Sequence, residues 1–148
     1  MYTDTLIKIF QRDLVKLKVE LEAYTNEEKL WLLPKGINNS AGNLGLHIVG
    51  NLNHFVGATL GNTGYVRKRD LEFSQKNVSR NVILKQIDET IEVIETTLLK
   101  LTPDDFAKQY PLIVFKEAMS TEFFLTHLIT HLSYHLGQIN YHRRLLDE

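Results

Sequence analysis

Four of the six histidines lie close together near the end of the sequence: His127, His131, His135 and His142. At about 100° per helical residue, these four side chains and Gln138 fall within about 80° of one another on one stripe of a helix. Since that stripe overlaps the apolar positions of the same segment, we expect the imidazoles to point towards the protein interior. Two histidines four residues apart can both reach one metal ion.

His47 and His54 lie seven residues apart earlier in the chain and share a face of a second predicted helix, with Asn51 between them. A histidine from this facing helix would complete a three-nitrogen metal site with His131 and His135. Such a site leaves coordination positions open for water or substrate, as catalytic sites require. The alternative is a set of hydrogen-bonded core histidines without a metal, although each unsatisfied buried nitrogen costs about 1–3 kcal/mol.

The other polar side chains near these positions have two interpretations. They could orient metal ligands or substrate, or they could serve only in packing and helix hydrogen bonding; these residues are His54, Asn51, Gln138 and His127. For His142, at the far end of the stripe, we expect a structural role.

Four long amphipathic segments must position these residues. Apolar side chains recur every three or four positions over about 5–24, 41–60, 79–101 and 120–146, the spacing of helices that bury one face. No segment alternates as a half-buried strand would. The sequence therefore predicts an all-α fold, a four-helix bundle, formed by residues 1–148 as a single domain. The long connection 61–77 exceeds what a tight reversal needs and would allow a crossover topology.

Shorter signals mark the remaining segments. Thr25–Glu28 has the pattern of a capping box before a short helical turn, and Thr102 precedes a proline at the first position of another. Residues 112–116 are expected to be extended. For the basic cluster Arg67–Arg69 we expect a solvated loop, the alternative being a role in anion binding or substrate gating. Three aromatic residues at helical spacing are expected in the core: Phe55, Phe123 and Phe124.

Composition excludes several function classes. The chain has 148 residues, with 17 Lys and Arg against 18 Asp and Glu, so it has no basic field for nucleic acid or anionic lipid. Cysteine is absent, which excludes disulfides, thiolate metal ligands and a protein thiol nucleophile. No apolar run approaches about 18 residues, and the first ten residues lack a signal-peptide pattern. We therefore expect a cytoplasmic protein with no membrane or nucleic-acid partner.

Two segments resemble one family. His131–Ile139 (HLSYHLGQI) resembles the last helix of the DinB/YfiT-like superfamily, in which two histidines four residues apart are followed by a Gly-Gln pair. Gly42–His47 (GNLGLH) resembles that superfamily's second helix, which supplies a further histidine. The loop 61–67 (GNTGYVR) is similar to a subgroup known mainly as a domain of unknown function. The similarity spans essentially the whole chain.

The resemblance implies a DinB-like four-helix bundle with one crossover, commonly dimeric, that binds a divalent ion such as zinc or nickel through His47, His131 and His135. It also implies thiol-dependent transferase or isomerase chemistry with an external low-molecular-weight thiol, because several members use one. The chain departs from many relatives at Tyr134, where histidine is frequent, and at Leu136, where arginine is frequent. Any role of that arginine in anion binding would be missing here.

Three functional hypotheses remain open at this level. In the first, the chain is a small metalloenzyme, a thiol-dependent transferase or a hydrolase, whose ion activates water or a thiol for attack on a small molecule. In the second, it is a noncatalytic metal-binding or structural homodimer whose ion is sealed by apolar side chains. In the third, it keeps the bundle and binds nothing.

Overall fold

The computed structural model describes residues 2–147. Seven α-helices cover most of this range: α1 (Tyr2–Glu22), α2 (Ala41–Leu52), α3 (Thr59–Gly61), α4 (Arg69–Ser74), α5 (Arg80–Leu98), α6 (Pro103–Ala107) and α7 (Thr121–Leu146). A 3-10 turn occupies Glu27–Trp31, and the described residues contain no strand beyond one isolated bridge between Gln109 and Ser120. The predicted all-α class is confirmed.

The first long helix packs between α5 and α7. It is antiparallel to α5, because Gln11 of α1 contacts Glu95 of α5 while Lys18 contacts Asp88. It runs in the same direction as α7, since Tyr2 bonds Thr126 near the start of both helices and Arg143 bonds Glu20 near the end of both.

The helix α2 occupies the other position between α5 and α7. It is parallel to α5: Gly45 lies against Ile83, and Asn53 bonds Thr90. Because α2 and α5 run in the same direction, the chain between them must return along the length of the bundle. The predicted crossover connection after the second helix is therefore present, and this connection carries α4.

The second predicted helix, 41–60, is correct in extent but not uniform. Between α2 and α3 the backbone forms a π-helical segment, Asn53–Ala58, within an otherwise continuous rod. The His54 carbonyl accepts both the backbone N–H and the hydroxyl of Thr59 in the widened turn. Such π segments are short and occur frequently at functional sites.

Helix ends follow the capping expectations with one shift. Ser40 and Ser120 accept hydrogen bonds from the first turns of α2 and α7, and Thr102 forms a full capping box with Asp105. At the 3-10 turn the cap is Asn26, one residue after the threonine of the predicted box. Asn26 caps the turn because its side-chain oxygen accepts from the backbone N–H of Glu28, two residues ahead.

The segment 112–116 forms no regular strand in the described chain. It belongs to an exposed loop whose ends are joined by backbone hydrogen bonds from Tyr110 to Met119 and from Thr121 to Lys108. The expected aromatic core is correct for Phe124, which is 1 % exposed, and wrong for Phe123, which is 60 % exposed. Phe55 is partly buried against the core. Phe123 turns outward because it follows the Ser120 cap on the solvent face of the first turn.

None of the helices in residues 2–147 combines the length and apolarity needed to cross a membrane.

Candidate metal centre

Three imidazole rings meet between α2 and α7. The Nε2 atom of His131 lies 3.1 Å from Nε2 of His47 and 3.0 Å from Nε2 of His135. The three potential ligand atoms all lie within 4.8 Å of one another. Nitrogens that bind one zinc ion tetrahedrally at about 2.05 Å are separated by about 3.3 Å, so these rings already stand at a spacing that suits a shared ion.

The antiparallel packing of α2 on α7 creates this convergence. His47 faces His131, and about two turns further along the pair of helices Phe55 faces Phe124, with ring centroids 5.0 and 5.1 Å apart. His135 is one turn beyond His131 on α7 and also faces His47, at 5.0 Å between ring centroids. Two imidazoles at i and i+4 and a third from the facing helix form the arrangement that the spacing indicated.

Hydrogen bonds at the opposite ring nitrogens fix two of the tautomers. Nδ1 of His47 lies 2.9 Å from Oε1 of Glu72, and Nδ1 of His135 lies 2.8 Å from Oε1 of Gln138. A carboxylate or amide oxygen only accepts, so both Nδ1 atoms carry the proton and donate. The Nε2 atoms of His47 and His135 therefore present lone pairs towards His131.

Without an ion, the central imidazole cannot satisfy both neighbours. A proton on Nε2 of His131 can be donated to only one of the two facing lone pairs, and without that proton three lone pairs face one another. Burial, followed by the neighbouring imidazoles His135 and His47, lowers the pKa of His131 to about 3, so protonation does not resolve the conflict at neutral pH. A cation accepts three lone pairs at once, and the donor set therefore fits a metal ion.

Glu72 is the buried acid that supports His47. It lies on α4 with 6 % of its surface exposed, and Arg67 holds it with two 2.9 Å hydrogen bonds, from Nε to Oε2 and from Nη2 to Oε1. Burial opposes the charge, but the hydrogen bonds from His47 and Arg67 outweigh this effect and lower the pKa of Glu72. The carboxylate of Glu72 and the Nε2 atom that His47 turns towards His131 thus lie on opposite sides of the His47 ring.

The carboxylate of Glu72 occupies space that α2 leaves open at Gly50. A Cβ atom on Gly50 would collide with Oε2 of Glu72, and the carboxylate cannot swing away while Arg67 and His47 hold it. Glycine at this helix position therefore makes room for the acid.

Asn43 fixes the segment that carries Glu72 to the helix that carries His47. Its side-chain amide donates to the carbonyls of Glu72 and Gln75, at 3.0 and 2.8 Å, and its oxygen accepts from Ser40 and Lys76. Asn43 precedes His47 by one helical turn, so α4 is tied to α2 directly beside His47.

The three histidines of the cluster differ in their exposure. His47 is buried at 6 % exposed, whereas His131 and His135 are half-buried, so the cluster is reached from the α7 side. Phe73 covers the His47 ring from the α4 side at 4.8 Å between ring centroids. The cluster therefore has one buried imidazole and two that are partly exposed.

The family of this chain follows from comparison with known proteins. A family described as "Protein of unknown function (DUF1572)" matches residues 2–148. The chain belongs to this family. DUF1572 is part of the DinB-like superfamily, which confirms the resemblance at the superfamily level. A search of curated proteins found no match to the chain.

Two other predicted residues of the DUF1572 chain have clear positions. Gln138 accepts from Nδ1 of His135, three residues before it on α7, a contact that fits both of its interpretations. His142 has the expected structural role: Nδ1 accepts from the Tyr24 hydroxyl at 2.5 Å, and Nε2 donates to the Leu32 carbonyl at 2.9 Å.

Three predicted polar residues lie outside the three-histidine cluster. His54 and His127 are half-buried, and Asn51 is buried without a hydrogen bond at its side-chain oxygen. Burial and the charge of Arg67 lower the pKa of His54, which places that ring near the ion pair rather than at the converging nitrogens.

Sequence reasoning missed Glu72 and misassigned Arg67. The basic cluster Arg67–Arg69 was expected to be solvated, but the Arg67 side chain is only 11 % exposed and pairs with Glu72, because the crossover connection folds back onto α2. The remaining two members of the cluster are exposed. One signal was available: a glycine three residues after His47, at position 50, marks a place where another group approaches the helix.

Proposed function

We propose that this DUF1572 protein is a metal-dependent enzyme, a thiol-dependent transferase or a hydrolase, whose divalent ion is held by His47, His131 and His135. The observation that carries the proposal is the tautomer arrangement, in which Glu72 and Gln138 hold protons on the outer ring nitrogens and turn two lone pairs towards one point. Imidazole donors suit zinc and nickel, the ions that the superfamily resemblance implies.

Each residue has a defined task in this proposal. When bound, the ion would lower the pKa of a coordinated water or external thiol and so supply a nucleophile near neutral pH. Glu72 keeps the His47 ring oriented and more basic, and Gln138 does the same for His135. The chain has no cysteine, so a reacting thiol must come from a small molecule.

Partial exposure favours a catalytic site over a sealed structural one. A structural zinc site usually has four protein ligands, whereas the cluster among residues 2–147 has three, two of them half-buried. A noncatalytic metal-binding protein is the second candidate, and it keeps the metal but shows no turnover. The homodimer, the cytoplasmic location, the single domain and the lack of a nucleic-acid partner are further proposals from the sequence.

Metal analysis of tag-free protein tests the assignment. We expect about one divalent ion per chain in the wild type by elemental mass spectrometry, and loss of most of it in His131→Ala. His54→Gln is the matched control, because His54 lies outside the cluster, and it should retain the ion. Equal metal content in the wild type and His131→Ala would refute the site.

Turnover separates the two candidate functions. The metal-loaded protein is incubated with a panel of electrophiles, each with bacillithiol, glutathione or water as the nucleophile. Product formation that disappears in His131→Ala and in chelator-treated protein supports an enzyme. Stoichiometric metal without turnover across the panel favours the noncatalytic candidate.

A further inference from the structure

Asn51 has a buried side-chain oxygen that the rest of the protein leaves unpaired. No group among residues 2–147 forms a hydrogen bond with this oxygen. The residue is only 7 % exposed. Buried polar groups are nearly always hydrogen-bonded, and an unsatisfied one is costly, so this amide calls for a specific explanation.

The position of Asn51 places it beside the metal centre. Asn51 follows His47 by four residues and therefore lies on the same face of α2, one turn further along. That face packs on α7 at His131 on one side of Asn51 and, through Phe55, at Phe124 on the other. Asn51 thus occupies the level of α7 between Phe124 and His131.

His127 is the polar residue of α7 at this level. Its ring stacks on Phe124, with centroids 5.9 Å apart, and lies 6.3 Å from the His131 ring. Phe115, from the exposed loop before α7, covers it edge-on at 4.9 Å. Within the part of the chain that the structure describes, no group forms a hydrogen bond with the ring nitrogens of His127. Two unpaired polar groups and an aromatic wall therefore adjoin the ligands.

Distance and chemistry define what this region could take. One helical turn separates Asn51 from His47, about 6 Å along the axis. An amide presents one donor group and one acceptor group and cannot be charged, so its best partner is a neutral group that offers both, such as another amide. A small ligand bound to the ion through one atom could place an amide or hydroxyl at this distance.

We propose that Asn51 and His127 form a subsite that binds a neutral amide or hydroxyl group of a ligand whose other end coordinates the metal ion. The inference rests on the proposed function, because it requires an ion at the three histidines. It adds a specificity-determining pair, and it defines the ligand class as one with a hydrogen-bonding group three to four bonds from the coordinating atom.

Two thiols of equal length test the subsite on cobalt-loaded protein. N-acetylcysteamine carries an amide, and 1-pentanethiol replaces that amide with methylene groups. Both are titrated while the cobalt absorption bands are followed, and the ratio of their dissociation constants is measured. The variants are Asn51→Leu and His127→Phe, which keep the approximate shape. Asn81→Leu, on the exposed surface of α5, is the matched control.

We expect the ratio to shift against N-acetylcysteamine by about 3- to 10-fold in Asn51→Leu, the effect of losing one hydrogen bond. His127→Phe should shift it in the same direction, and Asn81→Leu should leave it unchanged. An unchanged ratio in both subsite variants overturns the inference, as does a cobalt spectrum that neither thiol alters. Absence of cobalt bands in wild-type protein refutes the proposed function instead, so the two failures are distinguishable.

Discussion

Replacing Glu72 with glutamine should weaken metal binding although no ligand is altered. The substitution keeps the size of the side chain but removes its charge, and it puts an amide N–H₂ where Arg67 or His47 now donates. Two donors then face each other, so one of the 2.9 Å hydrogen bonds is lost and His47 is less firmly oriented. Removing the group that orients a metal-bound histidine typically lowers affinity by about 10- to 100-fold, or about 1.4–2.8 kcal/mol.

The assay is a competition titration of zinc against a chromophoric chelator at fixed pH. Glu20→Gln is the matched control, because Glu20 is also a partly buried glutamate held by an arginine, Arg143, and an amide, Asn140, but contacts no histidine. We expect the dissociation constant for zinc to rise at least about tenfold in Glu72→Gln and to stay near the wild-type value in Glu20→Gln. A rise of less than about threefold, or an equal rise in both variants, would refute the role assigned to Glu72.

Three further predictions concern the surroundings of the ligands. Gly50→Ala should displace the Glu72 carboxylate and weaken zinc binding in the same titration. Gly45→Ala is the control, because its Cβ would meet neighbours only at ordinary contact distances of 3.5 and 3.6 Å. Equal zinc affinities in the two variants would contradict this. Asn43→Leu should lower the free energy of unfolding in urea by about 2–4 kcal/mol because it breaks four side-chain hydrogen bonds. Asn51→Leu should not lower it, and similar losses in the two variants would contradict the finding that the Asn51 side-chain oxygen has no hydrogen-bond partner. In metal-free protein, folding lowers the pKa of His131 from 6.5 to about 3, so the unfolded chain binds the proton more readily. The free energy of unfolding should therefore fall as pH drops from about 6.5 towards 3. An equally steep fall in His131→Gln would refute this.

Most of the helical architecture could be predicted from the sequence because its causes are local. The apolar stripe of α5 and the capping residues Ser40, Ser120 and Thr102 act within a few positions, so they are visible in one chain. The π-helical segment after α2 was not predicted. It depends on how Asn53–Ala58 packs on α5, as in the bond from Asn53 to Thr90, and on no local sequence signal.

The histidines of the cluster and the acid that supports them differ in the same way. The sequence identifies His131 and His135 as a pair because residues i and i+4 are neighbours on any helix. It does not identify Glu72, because the contact of Glu72 with His47 spans 25 residues and depends on the crossover connection folding back along α2. A glutamate within a charged loop has the composition of a solvated surface, and only the buried arginine and the space at Gly50 identify it as part of the site.

The composition of α2 can be explained by what approaches it. Each glycine in a helix interior costs about 1 kcal/mol relative to alanine, and α2 contains three within twelve residues. Two of them are required by close contacts: a Cβ on Gly42 would lie 2.7 Å from the Trp31 ring, and one on Gly50 would collide with Glu72. At Gly42 the helix therefore gives up intrinsic stability to pack against Trp31, and at Gly50 it does so to make room for Glu72 beside the three histidines. Only burial on all sides, seen for every residue of α2, keeps such a sequence helical.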